Sequence, residues 1–393
     1  MTIAHKDRNP SSGVVLDRRY ADEKGRLYFY DNAKFILIFL VVLAHAISPF
    51  KAGGPGYELY HFLWRVINTL HMPCLIFISG FFAKKYIRPG GFINVQRPFT
   101  YAMYFLASQL TVGAFEVYVL GNNISKSILA PRSSLWFLVC LIWWYLLLPI
   151  VDKIDPKYML PIAVAAGLLI GYDAQVSNLM AMSRMITHFP FFLFGYYITS
   201  EKMQGLFTKK ARVWSMPILI ACLGSLVIIM YLFRASGPMK FSINDFITCD
   251  KSYFKIFNNK GVSPILWFIP RVWFYLCAAG LSFSFLVWVP RKKNVFTKFG
   301  ARTLAVYILH RFLYLAYLSP SKSSNGFGWC TFDWFKYEWF GWKNIAVLRL
   351  SIIAVAFIIT VVLSLYPFYW PFEMLGKIKV KKLLKKQDEQ ISK

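Results

Sequence analysis

The sequence predicts an all-α polytopic integral membrane protein of about ten transmembrane helices, with both termini in the cytoplasm. Three observations carry this expectation. Of the 393 residues, 57% are hydrophobic and 19% aromatic, and only 16% are charged, where a soluble domain averages about a quarter charged. The apolar residues gather into long runs without strict alternation, which favours helices over strands, and only helices or closed barrels satisfy the backbone in lipid. The cations lie in short segments between those runs. A net charge of +27 distributed in this way is topology information. A lipid bilayer is therefore the expected partner, and nucleic acid is not.

Each element follows in order. Residues 1–30 are polar and read as a cytoplasmic segment, with no cleavable signal peptide expected, because the first apolar run is already long enough to span. The membrane domain is taken as 31–370. Its first span, 33–50, runs through FILIFLVVLAHAISPF. The second, 65–83, contains NTLHMPCLIFISGFF, where Pro73 is a candidate kink. The third, 99–119, holds Glu116, the one acid well inside the apolar segments. The fourth, 134–150, opens on SLWFL. The fifth, 158–172, and the sixth, 185–199, are short for a hydrocarbon layer of about 30 Å. The sixth carries the phenylalanine-rich FPFFLFG and a second candidate kink, Pro190. The seventh is 214–233, the eighth, 265–289, opens on LWFIPR, the ninth, 301–318, contains YILHR, and the tenth is 347–370. Residues 371–393 form a basic cytoplasmic tail. Its run KIKVKKLLKK is expected either to rest on anionic headgroups or to act as a solvated topology anchor.

Orientation follows from Lys and Arg outside the spans. They number 27 on the side that includes both termini and 13 on the other, which places both termini on the cytoplasmic side of the cell membrane. No internal repeat and no appended soluble domain is expected. Cys74, Cys140, Cys222 and Cys277 fall in spans as small apolar residues. Cys249 and Cys330 fall in the two longest outward loops, where pairing is open but not fixed by sequence.

The polar residues within the spans carry the chemistry. His45 lies deep in the first span, and an ionisable group there is expensive, so it is a functional candidate by default. The eleven residue steps from Lys34 to His45 make almost three turns, placing both on one face roughly 16 Å apart. Asp31 falls about 40° from the same stripe. A core histidine satisfied by a neighbouring helix is the alternative. With the topology above, His71, Trp136, Arg184, His188 and Arg271 reach the outer half of the membrane, and His310 and Arg311 its middle. Trp136 equally fits an aromatic belt, and His71 and His188 equally fit interfacial residues. Arg311 equally fits a snorkelling cation or a partner of Glu116. No HxH or HExxH spacing is present, and no metal is expected.

These segments together resemble the membrane-bound acyltransferase family three, in particular its branch similar to fucose 4-O-acetylases. The matching blocks are DNAKFILIFLVVLAH with Asp31, Lys34 and His45, then HMPCLIFISGFF, SLWFL, FPFFLFGYYI and YILHR, in that order. The resemblance covers nearly all of residues 28–370 and implies transfer of an acyl group, usually acetyl, from acyl-coenzyme A to a carbohydrate or other envelope acceptor. The chain departs from larger members that carry an extra extracytoplasmic domain.

The residues suit that chemistry. A hydroxyl acceptor needs a base, and imidazole serves with a pKa near 6.5. His45 is the expected base, with Asp31 grouped beside it on the catalytic helix. Lys34, assisted by Lys84, Lys85 and Arg302, is expected to hold the phosphates of acetyl-CoA on the cytoplasmic side. Asp31 is expected to hold the Lys34 ammonium as an i,i+3 pair. A carbohydrate or glycolipid acceptor is expected from outside, near His71, Trp136, Arg184 and His188, with Arg271, His310 and Arg311 completing the set. The competing expectation is a transporter or flippase of an anionic or glycolipid substrate, for which polar groups at membrane depth also serve.

Overall fold

The structure is a computed structural model of the chain, which describes residues 20–21, 25–48, 57–87, 94–119, 121, 128–175, 179–232, 243–257, 262–318 and 345–379. For 57, 133, 314–318 and 345–348 it describes the backbone alone. The described residues form α1 (Tyr28–Ile47), α2 (Tyr57–Ala83), α3 (Gln96–Ala114), α4 (Trp136–Val151), α5 (Pro156–Leu169), α6 (Met182–Tyr197), α7 (Ser200–Gln204) and α8 (Lys209–Leu232). Then come α9 (Ile243–Thr248), α10 (Tyr253–Phe257), α11 (Ile269–Trp288), α12 (Thr297–Gly300), α13 (Thr303–Leu318), α14 (Ile345–Leu363) and α15 (Tyr366–Gly376). Strand-like pairing among the described residues is confined to one isolated bridge, Ala21 to Leu27.

The described residues are all-helical, and each expected span lies over a helix. Among the described residues five helices are long and apolar enough to cross a membrane, and a sixth joins them if α14 and α15, bent by 49°, count as one broken span. α4, α5 and α13 are apolar but shorter. α4 buries one face in the protein, with Leu138, Val139, Cys140 and Trp144 buried, while Leu146 and Ile150 stay exposed. α8 is the opposite case. Val213, Ile220, Val227, Ile228 and Tyr231 are exposed along it, an apolar stripe that is stable only against lipid.

α1 is the central helix, packing against α2, α12, α13 and α14. Its entry is fixed by Asn32, whose Nδ2 donates to Pro290 O at 2.8 Å and Lys292 O at 3.0 Å. The Asn32 Oδ1 accepts from Thr297 Oγ1 at 2.6 Å. α2 and α6 cross at paired glycines. A Cβ on Gly80 would stand 2.0 Å from Phe192 O, and one on Gly195 would stand 2.0 Å from Phe77 O. Small residues of this kind let helix backbones touch where lipid supplies no hydrophobic drive. The close crossing fixes the register of the helices that carry His71 and His188. Pro73 and Pro190 both lie inside continuous helices.

The possible Cys249–Cys330 pairing involves a residue outside those described, as do much of the 319–346 loop and most of the basic tail. Cys249 is buried, and its thiol donates to Phe246 O at 3.0 Å.

Candidate active site

Two cavities open against α1, one at each end. The larger, about 480 Å³, is lined by Arg26, Asp31, Lys34, Lys85 and Arg97, and by Tyr30, Tyr86, Tyr101 and Tyr145. The smaller, about 340 Å³, is lined by His45, His71, Trp136, Arg184 and His188, with Trp64, Asn68, Thr248, Asp250 and Tyr307. Of the expected residues, Lys34 and His45 thus stand in different cavities, with about 16 Å of helix between them.

In the larger cavity the cations rest on aromatic faces. Lys34 Nζ is 4.9 Å from the Phe82 ring centre, and the Arg97 guanidinium is 4.6 Å from that of Tyr86. Lys85 lies 5.4 Å from the same Tyr86 ring. Such contacts hold a cation at modest cost while leaving its hydrogens to a ligand. Asp31 is held by Arg26, with Nε to Oδ2 at 2.5 Å and Nη2 to Oδ1 at 2.6 Å. Lys34, the partner expected from sequence, is more distant at 3.8 Å. Lys84 and Arg302 do not line the cavity. The Lys84 ammonium donates to Ile198 O at the end of α6, and Arg302 lies over the Tyr366 ring at 5.5 Å.

In and behind the smaller cavity three histidine tautomers follow from local bonding. Carbonyls can only accept, so Nδ1 must carry the hydrogen in His71 to Ile67 O at 2.6 Å, His188 to Arg184 O at 3.0 Å and His310 to Val306 O at 2.8 Å. The neutral ring then has its lone pair on Nε2. His310 does not line the cavity but packs behind His45, with ring centres 5.1 Å apart. Trp136 has the Arg184 guanidinium at 5.2 Å and the His188 ring at 5.3 Å.

The turn between α9 and α10 closes this cavity. Arg184 donates from Nε to Thr248 O and from Nη2 to Asp250 Oδ2, both at 2.9 Å, and Ser183 Oγ donates to Cys249 O at 2.9 Å. Three consecutive residues are thereby tied to the first turn of α6. Cys249 takes a φ of 54°, and Met180 and Ala181, just before α6, take 50° and 52°. Non-glycine residues rarely adopt this region, and it persists where the surroundings over-determine it. Burial pushes the Cys249 thiol up to about 11 against the pull of Arg271 and Arg184, which keeps it a neutral packing group.

Arg271 and Arg311 lie outside both cavities. Arg271 is fully buried, donates from Nη1 to Gly167 O at 3.1 Å, and faces the Tyr253 ring at 4.8 Å. Glu116 is paired with Arg132, whose backbone N–H also donates to Gln109 Oε1 at 3.0 Å. Among the described residues no three His, Cys, Asp or Glu side chains converge as a metal-binding group.

Arg26, Arg97, Asp250 and the tyrosines were not legible from sequence. Asp250 is the only acid among the described residues lining the smaller cavity. It lies in a loop that no span pattern brings to α6.

A family model described as an acyltransferase domain matches residues 27–370. The chain belongs to the acyltransferase family three. No curated protein and no solved structure matches it. For a membrane acyltransferase the work is to bring a donor and an acceptor to one point. The matched stretch contains every lining residue of the smaller cavity, and all of the larger except Gly25 and Arg26. The acyltransferase domain therefore includes two chemically distinct compartments on one helix, one cationic and tyrosine-rich, the other rich in histidine.

Proposed function

We propose that the chain is an integral membrane O-acyltransferase of the branch similar to fucose 4-O-acetylases. It moves an acyl group, acetyl by preference, from cytoplasmic acyl-CoA to a hydroxyl of a carbohydrate or glycolipid acceptor of the cell envelope. The observation that carries this reading is the pair of cavities at the two ends of α1, with Lys34 in one and His45 in the other.

The donor's phosphates lie in the larger cavity, against Lys34, Lys85 and Arg97. Its pantetheine arm follows α1, and the roughly 16 Å from Lys34 to His45 is comparable to that arm when extended. The acceptor sits in the smaller cavity, where the Trp136 face and the polar edges of Arg184, Asp250 and Asn68 suit a sugar. His45 takes the proton of the acceptor hydroxyl as its oxygen forms the new bond to the thioester carbonyl carbon. The carbon–sulfur bond breaks, and the departing thiolate receives the proton from His45. His310, packed against it at a tilt of 46°, keeps the His45 ring in place.

The test is transfer of labelled acetyl from acetyl-CoA by purified protein supplied with envelope glycans. His45→Ala, normalised to inserted protein, is expected to lose 10²- to 10⁴-fold in rate, the range for a positioned general base. More than a tenth of wild-type activity in that variant would remove His45 from the role. Wild-type protein that transfers no label from any acyl-CoA would sink the whole reading in favour of transport.

A further inference from the structure

Arg26 precedes α1 and lies five residues before Asp31. Gly25 has a φ of 75°, and Tyr28 N donates to Tyr20 O at 3.0 Å, so the chain turns immediately before the helix. That turn brings the Arg26 side chain to the first turn of α1. There its guanidinium engages both oxygens of Asp31, at 2.5 and 2.6 Å. The Asp31 side chain is only 6% exposed, so its charge is weakly screened and has to be answered by a cation. A forked guanidinium–carboxylate pair satisfies both oxygens at once, which an ammonium cannot do. Lys34 is left at 3.8 Å, lying over Phe82 in the larger cavity.

We infer that Arg26 is a positioning residue for the donor. By engaging both oxygens of Asp31 it keeps the Lys34 ammonium from closing onto that carboxylate and leaves it to the donor's phosphates. The inference rests on the reading of the larger cavity as the donor site. Without Arg26, Lys34 is the next cation on the same helix face, at i,i+3 spacing and, at 3.8 Å, already within ion-pair distance but beyond hydrogen-bond distance. It would turn to Asp31, and the cavity would lose its central cation as well as Arg26. Replacing Asp31 by asparagine removes the reason for that turn, so the two substitutions should compensate.

The experiment uses the full-length protein in lipid nanodiscs, with coenzyme A binding measured by calorimetry and donor and acceptor KM measured separately. Arg26→Ala is expected to weaken coenzyme A binding and raise the donor KM at least tenfold, with acceptor KM unchanged. Arg26→Ala combined with Asp31→Asn is expected to return both to within about threefold of wild type, an outcome that general damage to α1 would not produce. Arg26→Lys, which carries the charge without the fork, should recover only part of the affinity lost in Arg26→Ala. An Arg26→Ala protein that binds coenzyme A as wild type does would overturn the inference. So would a double variant as weak as the single one, because Arg26 would then contact the donor directly. Wild-type protein that binds no coenzyme A would overturn the donor-site reading itself.

Discussion

At the scale of the residue, the proposed donor site depends on which cation a carboxylate holds most closely. Lys34 and Lys85 reach the larger cavity, while Lys84, the neighbour of Lys85, is directed to a backbone carbonyl of α6. Lys34→Ala is therefore expected to raise the donor KM at least tenfold while acceptor KM stays unchanged, and Lys34→Arg should retain part of the activity. Initial rates with each substrate varied in turn are the check. Equal coenzyme A affinity in wild type and Lys34→Ala would take Lys34 out of the site. On the other side, Asp250 bonds Arg184 beside Trp136. Asp250→Asn keeps the shape and removes the charge, leaving Arg184 with an unanswered cation at the rim. It should raise acceptor KM and spare donor KM, the mirror image of the Lys34 pattern.

At the scale of the element, the α2–α6 crossing sets the geometry of the smaller cavity. His71 lies nine residues before Gly80 and His188 seven before Gly195, so both imidazoles stand some two turns from the glycine contact. A methyl group at Gly80 meets a backbone carbonyl, which cannot rotate aside. Gly80→Ala is expected to cost at least the 1–3 kcal/mol typical of overpacking, roughly, and to lower the detergent-solubilised Tm. Gly224, in α8, has nothing within 4 Å of its notional Cβ. Gly224→Ala should be neutral or stabilising by up to about 1 kcal/mol, from helix propensity alone. Equal Tm values for the two variants would contradict the close crossing. The short α9 and α10 were not expected from sequence because they are too brief for a helical period to show. Their burial of Phe246, Tyr253 and Phe257 nevertheless anchors the segment whose Ile247, Thr248 and Asp250 line the smaller cavity.

At the scale of the whole molecule, a two-sided reaction requires the two ends of α1 to face different compartments. Gly205 follows α7, beyond the end of α6 near Lys84, and Lys255 lies in α10, after the segment that lines the smaller cavity. In intact cells a membrane-impermeant maleimide should label Lys255→Cys and spare Gly205→Cys until the membrane is opened. The reverse pattern would invert the topology and end the two-sided mechanism.

The sequence by itself determined the class of molecule and the helix that organises it. Hydrophobic runs reflect the bilayer, a uniform solvent that acts on each segment independently, so apolar length and cation placement are readable one span at a time. Lys34 and His45 were legible for a related reason, since their shared face is a property of a single helix. Tertiary structure decided everything that depends on which helices touch. It assigned Asp31 to Arg26, Glu116 to Arg132 and Asp250 to Arg184, and it set His310 behind His45 and left Arg271 and Arg311 outside both cavities. These choices rest on short-range contacts between residues from 5 to 265 positions apart in the chain. A local hydrophobic pattern carries no information about them.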